Sequence, residues 1–339
     1  MKNLMKTIET AIIKEMKIKT SKLWIEQADW AVFLKQVPDH SVDLILTDPP
    51  FGLNEVQFDQ KHYNRSSQQV IQGYQEAPSD ISYEAWAFSW IKEFDRILKP
   101  NGSVLIVSGW TNEADIQYAM RRTQKFKLIN HLIWHYNFGV YTKTKFVSSH
   151  YHILYYAKTK GKPYFNKNAY HNEDHKNDRG GSKVYDDLQD VIKINKEYKP
   201  GQEKNSNALP LKLVEKLIKH TTRINDVVLD IFSGGFTTQF AALKLKRIAW
   251  GCEINQNSCE QFFPKLENFQ SPYFADEEIH GYERSKNLKN QGKPLNETEK
   301  IKIKEYFQSL SGTKKARLEQ TAKFFQRGIW SIIRIVTES

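Results

Sequence analysis

Apolar residues along the chain form short runs broken by turn chemistry, and the runs alternate between the period of strands and the period of helices. Val42 to Thr47 (VDLILT) is an apolar run halted by Asp48-Pro49-Pro50; two prolines cannot continue a central ladder, so the pattern predicts a strand that stops abruptly. Residues 83 to 97 carry apolar groups at helical spacing, Lys99-Pro100-Asn101-Gly102 makes a turn, and Ser103 to Ser108 predicts the next strand. The order returns downstream, with a helix over Leu211 to Thr221, a strand over Asp226 to Phe232, a glycine turn, a helix over Thr237 to Leu245 and a strand over Arg247 to Ile254. Parallel neighbours need crossover connections, so this alternation predicts an α/β fold whose mostly parallel sheet is covered on both faces.

Two polar stretches interrupt the alternation. Residues 52 to 82 are rich in Gln, Asn, Ser and Tyr, and residues 159 to 206 in Lys, Asn, Asp, Gly and His, including Asp178-Arg179-Gly180-Gly181. Loops of that length inside a compact domain are usually functional or mobile. At the start, Met1 to Lys17 places Met5, Ile8, Ile12 and Ile13 on one side of a helix that would pack on the core or on a second subunit. Near the end, Asn296 to Leu310 and Thr313 to Phe325 read as helices, and apolar residues recur from Ile329 to Ile335. Three short helices with a tight turn before the last resemble a helix-turn-helix unit.

Composition adds a partner class. Of 339 residues, 50 are Lys or Arg and 39 Asp or Glu, a formal net charge of +11 that favours an anionic partner. Residues 280 to 339 hold 13 Lys and Arg against 6 Glu, so most of the excess lies there. Apolar runs stop far short of the ~18 residues a spanning helix needs, and Met1 to Lys17 is broken by Glu9 and Glu15, unlike a secretory signal. Cys252 and Cys259 are too few for a disulfide framework and form no CxxC pair, which fits a reducing, cytoplasmic setting. His171 and His175 lack a third ligand at helical spacing, so no metal is expected.

Two turns carry candidate chemistry. Asp230-Ile231-Phe232-Ser233-Gly234-Gly235-Phe236-Thr237-Thr238 lies after a strand and before a helix, where glycine permits close backbone approach and a helix N-terminus offers free N–H groups. Glu253 ends the next strand, where a doubly wound fold holds ribose hydroxyls, so the pair predicts nucleoside binding. Neither GxGxxG nor GxxxxGK[ST] occurs. The second turn, Asp48-Pro49-Pro50-Phe51, offers a carboxylate, a backbone carbonyl and an aromatic face, the parts needed to hold a planar amino group. An exocyclic amine on a nucleobase is a poor nucleophile because its lone pair is delocalised into the ring. Acceptance of its two N–H bonds by Asp48 and the Pro49 carbonyl would draw the nitrogen towards tetrahedral geometry, with Phe51 stacked on the base. A base in a duplex must be flipped out to reach such a pocket.

These motifs resemble the S-adenosylmethionine-dependent DNA amino-methyltransferases in the permuted arrangement called class beta. The likeness rests on ADWAVFLKQVPDHSVDLILTDPPFG (28 to 52), RILKPNGSVLI (96 to 106) and LPLKLVEKLI with DVVLDIFSGGFTTQFAALKLKRIAWGCEI (209 to 254), with DPPF preceding the cofactor motif. The resemblance implies a Rossmann-like catalytic domain over 22 to 274 with a target recognition insertion at about 159 to 206, preceded by a helical segment (1 to 21). A basic, helical, DNA-binding tail (275 to 339) follows. It implies catalysis by Asp48, Pro49, Pro50 and Phe51. The cofactor S-adenosyl-L-methionine would be held by Asp29, Asp48, Asp230, Phe232, Gly234, Gly235, Thr237, Thr238 and Glu253. Two departures stand out: Phe236 replaces a usual glycine and would cover the cofactor, and Asn207 stands in for a missing Lys and His.

The absence of a Pro-Cys pair excludes chemistry at cytosine carbon 5. Between adenine N6 and cytosine N4, the resemblance links a leading Asp mainly with adenine. The expectation is therefore site-specific adenine-N6 methylation of double-stranded DNA, within a restriction-modification system. Cytosine-N4 methylation, RNA methylation and a non-catalytic DNA-binding regulator remain as alternatives. A second copy of the chain and a cognate restriction endonuclease are the further candidate partners, and no membrane is among them.

Overall fold

The computed structural model describes residues 16–51, 80–195, 208–269 and 296–336, apart from 138, 140, 142, 145, 326, 328–331 and 334. The chain divides after Tyr273 into two compact units. In the first, nine strands form one sheet: β1 (Lys17–Lys19), β2 (Leu23–Gln27), β3 (Val42–Thr47), β4 (Leu98–Ser108), β5 (Phe126–His135), β6 (His150–Lys158), β7 (Val191–Lys193), β8 (Val227–Asp230) and β9 (Ile248–Glu253). Their spatial order is β1-β2-β9-β8-β3-β4-β6-β5-β7. Pairing is parallel from β2 through β4 and between β5 and β7, and antiparallel at β1–β2, β4–β6 and β6–β5.

The central strands are apolar on both faces because helices cover both. Against one face lie α1 (Trp30–Gln36), α2 (Tyr83–Ile91), α3 (Phe94–Ile97) and α4 (Glu113–Thr123). Their residues Phe33, Trp90, Phe94 and Met120 pack with Ile45, Val104 and Leu229 of the sheet. Against the other lie α6 (Leu211–Thr221), α7 (Thr237–Lys244) and α8 (Gln256–Glu267), with α5 (Lys183–Asp187) in the connection before β7. There Leu213, Ile218, Ala241 and Phe263 pack with Leu44, Leu46, Leu105 and Val228. Such two-sided burial is what lets β3 and β8 read as continuous apolar runs.

Two arginines, Arg96 half-buried and Arg247 buried, hold the helix ends that precede strands. Arg96 donates from Nη1 to the Val37 carbonyl (2.8 Å) and from Nη2 to the Leu34 carbonyl (2.7 Å), satisfying the open C-terminus of α1 just before β3. Arg247 does the same between α6 and β9, with Nη2 on the Thr222 carbonyl (2.7 Å) and Nη1 on the Leu245 carbonyl (2.7 Å).

The structure departs from the sequence reading in several places. Lys99-Pro100-Asn101-Gly102, expected as a turn, lies inside β4, and the register with β3 shifts there, between Val42 and Leu44. Lys17–Lys19, placed at the end of a helical segment, is a strand: pairing with Glu26, Ile25 and Trp24 satisfies its backbone, and Ile18 packs on the core. Residues 1–15 and 52–79 lie outside the described residues. The 159–206 stretch, read as loop, contains α5 and the short β7, which extends the sheet beside β5. His220 Nδ1 is 2.8 Å from the Asn166 carbonyl and its Nε2 3.1 Å from Asp187, which also pairs with Lys216. These contacts tie that stretch to α6.

The second unit holds α9 (Glu297–Ser309) and α10 (Lys314–Phe324), joined by a four-residue turn and capped by Asn296 and Thr313. Ile303, Leu318, Ala322, Ile332 and Ile335 form its own core. Arg327 clamps Glu299 through Nε (2.8 Å) and Nη2 (2.9 Å).

Candidate functional site

The two candidate turns meet because β3 and β8 are neighbours at the centre of the sheet. Leu44 pairs with Val228 and Ile45 with Leu229, in parallel, so both strands point their C-terminal ends the same way. Ligands of open α/β sheets bind at such ends. Pairing of β3 with β4 finishes at Thr47, which leaves Asp48 to Phe51 beyond the ladder, as the prolines require.

One hydrogen bond ties the turns together. The Thr47 hydroxyl donates to Asp230 Oδ1 (2.8 Å), which also accepts the Phe232 N–H (3.1 Å). Thr47 was not picked out from sequence, although it directly precedes Asp48. Asp230 is fully buried, and burial pushes its carboxyl up to about 6 against the lowering effect of Thr47, Thr238 and the Phe232 N–H. Glu253 is also pushed above the ordinary range by burial, opposed by backbone N–H groups. Its Oε2 accepts the Gly234 N–H (2.6 Å) and its Oε1 the Asn255 N–H (2.9 Å), so it clamps the glycine turn from the neighbouring strand. Gly234 has φ +50°, and a Cβ on Gly251, opposite Asp230, would stand 2.7 Å from the Asp230 carbonyl. Both glycines are therefore needed for the turn to sit this close to β9.

The remaining predicted residues divide between cleft and scaffold. Gly235 and Thr237 are partly buried at the start of α7, and Thr238 is buried against Asp230. Phe232 packs its ring on Trp86 and Trp90 of α2, both at 5.6 Å. Asp29 spends one carboxylate oxygen capping α1 at the Ala31 N–H (2.8 Å), beside β9, where the Ala28 N–H bonds the Glu253 carbonyl. Phe236 corrects the sequence reading. Its ring does not cover a cleft but is wholly buried against Phe262 (6.1 Å) and Phe263 (5.5 Å), and its φ of +59° turns it inward. Asn207 lies outside the described residues.

Around Asp48 to Phe51 the structure adds aromatic partners. The Tyr83 hydroxyl donates to the Pro50 carbonyl (2.9 Å), holding the turn to α2. Phe51 packs against Tyr151 of β6 at 5.5 Å, and Tyr151 in turn stacks on Trp134 (5.4 Å, 22°). An open aromatic face on Phe51 was expected; Tyr151 already covers part of it, and a planar ligand would enter beside this pair. The alternation of β6 could have flagged Tyr151, since it shares a face with Ile153 and Tyr155.

Chemically, one side of the cleft holds two carboxyl groups whose charge burial disfavours, beside the glycine turn that leads into α7. A ligand bringing positive charge and hydroxyl groups would offset that cost. S-adenosyl-L-methionine, with its sulfonium, ammonium and ribose, is of this kind, so the residues present fit the group implied by the resemblance. Among the described residues no cluster of three or more His, Cys, Asp or Glu is placed to hold a metal ion, and no helix is long and apolar enough to cross a membrane.

Comparison with known proteins gives a consistent picture. A family model described as DNA methylase (N6_N4_Mtase) matches residues 42–264, about two thirds of the chain. The Type II methyltransferase M.BamHI of Bacillus amyloliquefaciens is 29% identical over 287 residues, covering 79% of this chain and 63% of that protein. The chain thus spans under two thirds of that relative's length. The DNA adenine methyltransferase YhdJ of Escherichia coli (strain K12) is 27% identical over 262 residues, covering 72% of this chain and 82% of that protein. Among solved structures, the cytosine-N4-specific PvuII DNA methyltransferase superposes with a TM-score of 0.55 at 17% identity, over 76% of this chain and 89% of that one. That likeness bears on the fold, a Rossmann-like methyltransferase sheet.

Proposed function

The chain belongs to the DNA methylase family, and on that premise we propose that it transfers a methyl group from S-adenosyl-L-methionine to the N6 amino group of adenine in duplex DNA. The observation that carries this reading is the Thr47–Asp230 hydrogen bond, which sets an amino-binding turn and a nucleoside-binding turn side by side. Asp48 supports adenine over cytosine, as does the adenine-directed relative YhdJ.

The cofactor supplies an electrophilic methyl on sulfur. Glu253, Asp230 and the Gly234-Gly235 turn, at the ends of β8 and β9, would hold it. The Asp48 carboxylate and the Pro49 carbonyl accept the two amino N–H bonds of a flipped base, so the nitrogen lone pair turns towards the methyl. Transfer would exchange the methyl carbon's bond to sulfur for one to nitrogen, with the electron pair left on sulfur, and the Asp48 carboxylate would accept the surplus amino proton. Phe51 and Tyr151 provide the apolar wall that stacking on a base requires. Lys and Arg side chains of 159–206 and of the second unit supply contacts to phosphate, and we assign the protein to restriction-modification in the cytoplasm.

Asp48→Ala tests the reading. Methyl transfer to DNA is expected to fall at least 10³-fold, as for loss of an essential proton-handling group, far more than the loss of cofactor affinity that calorimetry measures for the same variant. Full activity in this variant would overturn the role of Asp48. Mass spectrometry of nucleosides from methylated DNA is expected to show N6-methyladenine; N4-methylcytosine would reassign the base.

A further inference from the structure

The hairpin joining β5 and β6 extends past the end of the sheet that carries the candidate site. Pairing of β4 with β6 ends at Ser108 and His152, yet the two hairpin strands stay together beyond it: His135 pairs with His150, and the Tyr136 N–H bonds the Ser149 carbonyl (3.0 Å). Further out, Gly139 lies against Val147 and Ser148 so closely that a Cβ would stand 2.5 Å from the Ser148 carbonyl. Phe146 is six residues past His152, as much as ~20 Å beyond the sheet at the rise of a strand. Its side chain is 99% exposed, and Tyr141 is 78% exposed.

A phenyl ring held in water contributes nothing to this fold; burying it elsewhere is worth about 2 kcal/mol. Three observations identify the surface that takes it. The hairpin rises from the wall of the site, since Tyr136 and Tyr151 at its base are 5.6 Å apart and Tyr151 packs on Phe51. The sequence from Tyr136 to Ser149 contains no acidic residue, and Lys143 near the tip is exposed, so the hairpin tolerates a polyanion. A base leaving a duplex for that site leaves a gap in the stack as thick as one aromatic ring, and apolar wedges are a general means of filling such gaps. Phe146 suits this better than Tyr141, whose polar hydroxyl would have to be desolvated inside a base stack.

We propose that Phe146 enters the base stack of duplex DNA at the position vacated by the target base and holds that base extruded. The inference rests on the methyltransferase reading above. It is tested in the full chain with Phe146→Ala and Phe146→Trp, on duplexes containing a methylated site identified by sequencing. In one duplex set the target base is normally paired; in the other it faces an abasic position, where extrusion costs little. For Phe146→Ala, kcat/KM is expected to fall at least tenfold on the paired duplex and to return to within twofold of the parent on the abasic one. Phe146→Trp is expected to keep near-parental activity on both, and all three proteins to share cofactor affinity and melting temperature. Unchanged activity of Phe146→Ala on the paired duplex, or an equal loss on both duplexes, would overturn the wedge while leaving the methyltransferase reading intact. A parent protein inactive on every DNA would instead sink the methyltransferase reading, and the wedge with it.

Discussion

At the scale of single residues, the site depends on a threonine that carries no chemistry. Thr47 joins two segments 183 residues apart in sequence through one buried bond to Asp230. Thr47→Val keeps the shape and removes the donor, so a buried carboxyl loses a partner; about 2 kcal/mol of stability is expected to go. Urea unfolding checks this, and Thr47→Ser should recover most of the loss. Asp230 itself predicts a pH dependence. Its folded pKa of about 6 lies above the ordinary 3.8, so the folded protein holds a proton that the unfolded chain releases between those values. Stability from this group is therefore full below about pH 4 and declines as pH rises through 6, by at most roughly 3 kcal/mol. Asp230→Asn cannot ionise. Relative to the parent it should gain stability between pH 4 and 7, and a difference independent of pH in paired unfolding curves would refute the assignment.

At the scale of elements, legibility followed burial and punctuation. β3 was readable to the residue because helices cover both its faces and Pro49-Pro50 stops it; β8 and α7 were readable because a glycine turn separates them. β1 was not, since a strand reading Lys-Ile-Lys owes its form to its partner β2 rather than to its own pattern. Phe236 misled for a related reason. Its place in a ligand-binding turn suggested a role at the ligand, whereas the left-handed backbone at that position sends its ring into the core. Order alone marked two turns as candidates for chemistry, but the Thr47–Asp230 bond and the Phe51–Tyr151 packing depend on which strands become neighbours. That is a property of the folded sheet.

At the scale of the whole molecule, charge and chemistry occupy different units. The motifs lie in the first unit, while residues 280 to 339 carry a net +7 on a unit with a core of its own. Removing residues 274 to 339 is expected to weaken DNA binding at least tenfold and to flatten its dependence on salt, because fewer phosphates are neutralised. Cofactor affinity should stay within twofold. Equal loss of both, measured by anisotropy and calorimetry, would make the second unit part of the catalytic fold.

The central pairing of β3 with β8 also bears on how the protein is made. During synthesis β3 leaves the ribosome long before β8, and at about 5–20 residues per second the interval is roughly 10–40 s. For that time the nascent sheet exposes an apolar strand edge of the kind that recruits stray chains. Until β8 arrives that edge lacks its native neighbour, and slow translation across the stretch before α6 would lengthen the period of risk.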